Sequence, residues 1–270
     1  MRKKFVCMLL IGTIAMLFSA CGQTPGTDES HIPASIPEET RPDETTIPTT
    51  EDRTDSVTNG TERYRDFVID NFLKSEQYGD IRYNVYIPES YDGSRPYALY
   101  FTLPGYEGLY FQGVAQNLKS EAFGFEAQKY NNEMIIVAPQ LGDWGETSAN
   151  QTIELVEYFL ENYNIDRTRV YANGYSGGGE TMSLVVGKRP DLFSAFLHVS
   201  SQWDGEYEPV VIARLPVYFA IGRNDEYYGS EPAKKAYDTL YSLYEQEGLS
   251  STEIDELLVL DIKEHEYFTQ

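Results

Sequence analysis

The sequence predicts an α/β domain built on a mostly parallel sheet with helices on both faces. Two observations lead to this prediction. Short apolar runs recur along residues 61–270, as in strands that are covered on both faces. Segments with helical spacing or helix-forming composition alternate with these runs. Such alternation over about 210 residues is typical of a single α/β domain.

Seven runs predict the strands in chain order. The first, at 81–88, alternates apolar and polar side chains and ends at a proline, which is typical of an edge strand. The other six are mostly apolar and lie at 97–103, 133–139, 169–174, 193–201, 215–222 and 256–262. Helices are predicted at 115–130, 150–163, 178–187 and 231–247. Ligands of such sheets bind beyond the carboxyl ends of the strands, so the loops there are the candidate site.

The first 21 residues predict a lipoprotein signal peptide. A basic start at residues 1–4 is followed by a short apolar run and by small residues before Cys21. The ending LFSAC, residues 17–21, resembles the lipobox of bacterial lipoproteins, in which the cysteine carries the lipid. The alternative is an ordinary signal peptide with an incidental cysteine. We expect an extracytoplasmic protein, anchored to the bacterial cell membrane through lipidated Cys21.

Residues 22–60 predict a disordered tether between this anchor and the folded domain. The segment holds nine Thr, five Pro and nine acidic residues but no aromatic residue. It therefore buries too little apolar surface to offset its chain entropy. The whole chain has a formal net charge of −22, which argues against nucleic acid as a partner. Both cysteines lie at or before residue 21, so the predicted domain has no disulfide.

A glycine-rich segment at 173–180 carries the candidate nucleophile, Ser176. Residues 174–178 match G-x-S-x-G, directly after the predicted strand 169–174 and directly before the predicted helix 178–187. This strand–turn–helix setting is what a nucleophile elbow requires. A plain turn and a phosphate-binding loop are the alternatives. A phosphate loop would have Lys and then Ser or Thr after the glycines, whereas Glu180 and Thr181 follow here.

Acyl transfer also needs N–H donors for the oxyanion of the tetrahedral intermediate. The backbone N–H of Gly177, next to the nucleophile, is the first candidate. The second is expected from the loop after strand 97–103, and we assign it to the N–H of Tyr106, with Gly105 as its neighbour. The alternative is that this loop is only a tight turn.

The acid of a Ser-Asp-His triad is expected after a later strand. Asp225 lies three residues beyond the end of strand 215–222, where a carboxylate could orient a histidine. Glu226 is the neighbouring candidate. An Asn-Asp pair is also a common turn or helix-cap signal, and this remains the structural alternative.

The sequence has three histidines. His31 lies in the predicted tether, and His198 falls within a predicted buried strand, where a structural role is expected. His265 follows the last predicted strand and has the chain order of a triad base. It stands between Glu264 and Glu266, without the glycines that usually accompany such a loop. A helix is also expected to cover the last strand, and the residues after that strand are too few to form one. We therefore expect the base to be either His265 or a histidine encoded beyond Gln270.

These residues resemble those of α/β-hydrolases. The likeness rests on 174–178, on the loop after strand 97–103 and on 221–230, and it covers about residues 65–270. It is nearest to the secreted prolyl-oligopeptidase-like and feruloyl-esterase-like serine hydrolases. The resemblance implies a Ser-Asp-His triad and neither a cofactor nor a metal. Pro104-Gly105 replaces the His-Gly of many relatives, which a backbone donor tolerates.

Two tryptophans follow predicted strands and suggest a substrate platform. Trp144 and Trp203 are the only tryptophans, and both stand in loops that would border the cleft. Their rings could bind an aromatic acyl group or a sugar, although a capping role for the loops is the alternative. We therefore predict an esterase acting on small or polysaccharide-linked esters, such as feruloyl or acetyl groups. A serine peptidase and a non-catalytic binding lipoprotein are the other possibilities, and the sequence does not indicate an oligomeric state.

Overall fold

The computed structural model describes residues 57–264, so Cys21 and His265 lie outside the described residues. Within this described part of the chain, ten strands form one sheet. The strands are β1 (Val57–Thr58), β2 (Glu62–Tyr64), β3 (Phe67–Ser75), β4 (Gly79–Tyr86), β5 (Tyr97–Leu103), β6 (Met134–Pro139), β7 (Ile165–Tyr175), β8 (Ala195–Val199), β9 (Val217–Gly222) and β10 (Leu258–Lys263). The helices are α1 (Gln116–Ser120), α2 (Phe123–Tyr130), α3 (Glu146–Asn162), α4 (Gly177–Lys188), α5 (Glu208–Ala213), α6 (Glu231–Gln246) and α7 (Ser251–Leu257).

The sheet has an antiparallel part and a parallel part. Its strand order is β1-β3-β4-β6-β5-β7-β8-β9-β10, with β2 paired to β3. From β6 through β10 all neighbouring strands run parallel. The first four strands add to β6 in antiparallel fashion. The predicted mostly parallel sheet is confirmed, and the carboxyl ends of its parallel strands share one edge.

Helices cover both faces, as predicted. Side chains of β5 alternate between two apolar clusters, with Leu99 and Phe101 in one and Ala98 and Tyr100 in the other. Helices α3 to α7 pack on the first cluster, and α1 and α2 pack on the second. All seven residues of β5 are buried, which explains why a continuous apolar run identified this strand.

The amino-terminal part differs from the prediction in three ways. Strand β3 was not predicted, although its buried and partly exposed residues alternate. Strand β4 lies between β3 and β6 rather than at an edge. Its polar Asn84 is fully buried, accepts the Asp70 N–H at 3.0 Å and donates to Asn117 Oδ1 at 2.7 Å. The polar residues of β4 had indicated a solvent-exposed edge strand. Asn84 instead forms hydrogen bonds inside the protein.

The third difference is the start of the domain. Strand β1 begins at Val57, inside the segment predicted as tether, and pairs with β3 at Leu73. The Gly60 N–H donates to Asn71 Oδ1 at 3.0 Å, which ties this segment to the sheet. Residues 57–60, which were predicted as the end of the tether, therefore pair with the sheet or bond to it. Within residues 57–264, none of the helices combines the length and the apolar character needed to cross a bilayer.

Candidate active site

Ser176 lies in a strained turn between β7 and α4. Its φ is 53° and its ψ is −129°, a left-handed backbone that costs a non-glycine residue about 1–3 kcal/mol. A β-carbon added to Gly174 would stand 2.3 Å from the Gly178 carbonyl oxygen. One added to Gly178 would stand 2.4 Å from the Leu103 carbonyl oxygen. Since backbone atoms cannot give way, the turn needs glycine on both sides of the serine.

Main-chain hydrogen bonds fix the position of Ser176. Its N–H donates to the Val199 carbonyl at 3.0 Å. Its carbonyl accepts the Gly179 N–H at 2.7 Å and the hydroxyl of the fully buried Ser201 at 2.6 Å. The backbone is therefore held by the neighbouring strand end and by the helix, whereas the Ser176 side chain is half-exposed.

The loop predicted to supply the second oxyanion donor lies directly beside the serine. A β-carbon on Gly105 would stand 3.1 Å from Ser176 Cβ. The Gly105 N–H is already used, because it donates to Glu121 Oε1 at 2.7 Å. Tyr106 and Gly177 are the first residues of a 3-10 turn and of α4, so their N–H groups have no acceptor within their own helices. The geometry favours these two as the donor pair.

Glu121 is a residue of this region that the sequence did not indicate. It stands in an extended conformation between α1 and α2, where a single helix at 115–130 was predicted. Burial raises the pKa of its carboxyl to about 8, and the nearby Glu107 adds to the rise, while the Gly105 N–H opposes it. Its contact is sixteen residues away along the chain, and no local pattern reveals it.

Exposed aromatic rings surround the serine on one side. The Trp144 indole covers Gly177 so closely that a β-carbon there would stand 2.9 Å from Trp144 Cδ2. The Trp144 and Tyr106 ring centroids are 6.0 Å apart, and those of Tyr106 and Phe111 are 5.4 Å apart. All three side chains are exposed, Trp144 to 38%. We call Tyr106, Phe111 and Trp144 the aromatic group.

Trp203, the other predicted platform residue, has different surroundings. It is only 9% exposed and stacks on Tyr207, with centroids 5.5 Å apart and planes 13° apart. Its indole N–H donates to the Gly205 carbonyl at 2.9 Å. This environment corresponds to the alternative interpretation, in which the tryptophan stabilises its own loop.

Asp225 lies in the turn that leads from β9 to α6. Its Oδ1 accepts the N–H groups of Tyr227 at 3.1 Å and Tyr228 at 2.9 Å. Its own N–H donates to the Gly222 carbonyl at 3.2 Å. The residue therefore has the turn-capping role that the sequence allowed, and this role also fixes the orientation of the carboxylate. Glu226, the neighbouring candidate, is exposed.

His198 is the single histidine among residues 57–264. It is fully buried in β8, and its Nε2 lies 3.0 Å from the Gln202 carbonyl. Burial lowers its pKa to about 4. Phe219 and Trp203 pack against the ring. These contacts agree with the structural role expected of it, and His265 lies outside the described residues.

Two further side chains near Ser176 escaped the sequence reasoning. The Tyr228 hydroxyl donates to Glu180 Oε1 at 2.7 Å and also lies within hydrogen-bonding reach of the Ser176 side chain. Glu180 had served only as an argument against a phosphate loop. The two residues are forty-eight positions apart, so only the folded chain brings them together.

The described arrangement is that of an α/β-hydrolase fold with a nucleophile elbow. Ser176 lies at the carboxyl end of a central strand, beside a helix N-terminus and a loop in which the Tyr106 N–H begins a 3-10 turn. This arrangement can stabilise an oxyanion formed by attack of Ser176 on a carbonyl.

Comparisons with known proteins agree with this class. Residues 140–244 match the model of the prolyl oligopeptidase family, a segment that includes Ser176 and Asp225. A thermostable esterase has a TM-score of 0.59 and 19% identity, with 76% of this chain and 56% of the esterase covered. Thus the chain spans little more than half the length of that esterase. No curated protein sequence gave a significant match.

Two other solved structures share the fold. The substrate-bound serine hydrolase FphF of Staphylococcus aureus, described as fluorophosphonate-binding, has a TM-score of 0.54 and 13% identity, covering 75% of this chain and 92% of that one. A putative dipeptidyl aminopeptidase IV of Bacteroides ovatus has a TM-score of 0.53 and 12% identity, covering 78% of this chain and 32% of that one. The predicted fold is confirmed, and residues 140–244 are similar to the prolyl oligopeptidase family.

Proposed function

We propose that the protein hydrolyses carboxylic esters through an acyl-enzyme on Ser176. The strained elbow carries this proposal, because it exposes the serine beside the N–H groups of Gly177 and Tyr106. Ser176 Oγ attacks the ester carbonyl as a base removes its proton, and the two N–H groups stabilise the oxyanion. The leaving alcohol departs with that proton, and water then releases the acid from Ser176 by the same steps.

The base in this proposal is His265, oriented by Asp225. The turn contacts of Asp225 support a fixed carboxylate at the required strand end. No described residue is assigned as the base, because His198 is fully buried and its Nε2 lies 3.0 Å from the Gln202 carbonyl.

The surroundings of Ser176 favour esters over peptides. Residues 57–86 form the first four strands of the sheet, so no separate gating domain is present within the described chain. The aromatic group beside Ser176 offers planar surfaces for an aromatic acyl group or a sugar ring. These features support feruloyl or acetyl esters of polysaccharide as substrates. A serine peptidase remains the second candidate, supported by the match to the prolyl oligopeptidase family.

The N-terminal sequence supports an extracytoplasmic location with a lipid anchor on Cys21. In this setting the domain would meet polymeric substrates outside the cell. Replacement of Cys21 by Ala should move the protein from the membrane fraction to the soluble fraction.

Fluorophosphonate labelling tests the nucleophile. The wild-type protein should label and should hydrolyse nitrophenyl acetate faster than an aminoacyl nitroanilide, whereas Ser176→Ala should do neither. Ser251→Ala, at an exposed serine on α7, is the matched control and should behave as wild type. Equal labelling of Ser176→Ala would exclude Ser176 as nucleophile. An inert wild-type protein would favour the non-catalytic binding lipoprotein.

A further inference from the structure

Tyr228 connects the two predicted catalytic parts of the site. Its N–H donates to Asp225 Oδ1 at 2.9 Å, in the turn after β9. Its hydroxyl donates to Glu180 Oε1 on α4 at 2.7 Å and reaches the side chain of Ser176. One residue therefore contacts the candidate acid, the candidate nucleophile and the helix that begins at the nucleophile.

Glu180 is a buried anchor for this tyrosine. It is 8% exposed and follows Ser176 by four residues, so both side chains lie on the same side of the helix start. A buried carboxylate needs a hydrogen-bond donor, and the Tyr228 hydroxyl supplies one. Burial raises the pKa of Glu180, the Tyr228 hydroxyl opposes the rise and Asp204 adds to it. Tyr228 gives its only hydroxyl proton to Glu180, so it does not donate to Ser176.

The turn that carries Asp225 is attached to β10 through Arg223, whose N–H donates to the Lys263 carbonyl at 2.8 Å and whose guanidinium pairs with Glu264. Arg223, Asn224, Glu226 and Tyr227 are all exposed. Tyr228 is the partly buried residue of this turn whose side chain reaches α4. Without that contact, the carboxylate would keep its local capping bonds but would lose its tie to the nucleophile.

We propose that Tyr228 and Glu180 are positioning residues, which hold the Asp225 turn against α4, the helix that begins at Ser176. This inference rests on the proposed esterase function and adds two residues to it. The pair would act before bond breaking by restricting the distance between the acid and the nucleophile. Precise placement of this kind is reflected in kcat more than in ground-state binding.

The first test compares neighbouring tyrosines. Tyr228→Phe removes only the hydroxyl, and we expect kcat for nitrophenyl acetate to fall about tenfold, as for one lost hydrogen bond, with little change in KM. Tyr227→Phe is the matched control, because Tyr227 is 84% exposed and its ring packs beside Tyr228. It should keep wild-type kcat. Circular dichroism and Tm establish that both variants fold.

The second test changes the anchor. Glu180→Gln keeps an oxygen that accepts the Tyr228 hydroxyl and should retain most of kcat, whereas Glu180→Ala should match Tyr228→Phe. A merely structural pair would lower Tm in all of these variants and leave kcat of the folded protein unchanged.

The outcomes separate this inference from the proposed function. A wild-type protein that labels and a folded Tyr228→Phe with unchanged kcat would overturn the inference alone. A wild-type protein inert towards fluorophosphonate would overturn the esterase function and this inference with it. If Tyr228→Phe does not fold, the Glu180 variants decide, and equal kcat in Glu180→Ala and wild type rejects the pair.

Discussion

The nucleophile turn at 174–178 and the acid turn at 223–229 lie at the same edge of the sheet but are held in different ways. The nucleophile turn is fixed by close backbone packing, with glycines that admit no β-carbon. The acid turn has backbone hydrogen bonds to Gly222 and Lys263, and the Asp225 carboxylate and the contact of Tyr228 with Glu180 add to them. Close backbone packing therefore positions Ser176, whereas side-chain hydrogen bonds contribute to the position of Asp225.

This difference decides what a substitution should do. A side chain added in the nucleophile turn would clash with backbone atoms that cannot move, so the substitution should affect folding and activity together. A side chain replaced in the acid turn contacts other side chains and solvent, so the substitution should affect activity and leave the fold intact.

The largest expected effect is that of Gly178→Ala. Its β-carbon would stand 2.4 Å from the Leu103 carbonyl oxygen, and we expect a destabilisation of about 3 kcal/mol or more with loss of labelling. Urea unfolding and fluorophosphonate labelling measure both effects. Gly142→Ala is the control, because nothing lies within 4 Å of the added carbon. Wild-type stability of Gly178→Ala would show that the turn is less rigid than its packing indicates.

A smaller effect, confined to activity, is expected from Asp225→Asn. The amide oxygen can still accept the N–H groups of Tyr227 and Tyr228, so Tm should stay close to that of wild type. Loss of the charge should lower kcat by about 10³-fold if Asp225 orients the base. Steady-state kinetics on nitrophenyl acetate check this. An unchanged kcat would show that Asp225 only caps its turn, and Glu226 would then be the candidate acid of the triad.

The smallest effect concerns Glu121, whose carboxyl accepts the Gly105 N–H of the oxyanion loop. Its pKa is raised to about 8, so the folded state favours the protonated carboxyl. The stability that it contributes is present below its unfolded pKa and is lost as pH rises through about 8. Relative to Glu121→Gln, the wild-type protein should become less stable as the pH is raised from 5 to 9. Parallel urea curves for the two proteins at both pH values would contradict this.

Local sequence was sufficient for the elements whose residues are buried on both faces and for the nucleophile turn. Strand β5 was predicted with its exact bounds, because burial on both faces leaves a continuous apolar run. The G-x-S-x-G turn was recognisable because the close contact that requires glycine joins Gly174 and Gly178, which are only four positions apart. Strand β3 was missed, and β4 was wrongly placed at an edge, because their polar residues find partners inside the protein.

The two tryptophans show where local sequence is insufficient. Both follow a strand and looked equivalent, yet Trp144 lies exposed against Gly177 and Trp203 is packed among core aromatic rings. The difference arises from which helices and loops pack nearby, and this is not encoded in the few residues around each tryptophan.

The sequence by itself determined the mostly parallel α/β sheet and the glycine-rich turn at Ser176, because these depend on apolar periodicity and on glycine at short spacing, and its resemblance to α/β-hydrolases indicated the fold. The lipid anchor on Cys21 and the base assigned to His265 stay predictions. Two contacts were decided only by the tertiary structure. The Glu121 carboxyl accepts the Gly105 N–H, and Tyr228 donates hydrogen bonds to both Asp225 and Glu180. These contacts join side chains from separate elements, and such pairs form only after the sheet has brought the strand ends together.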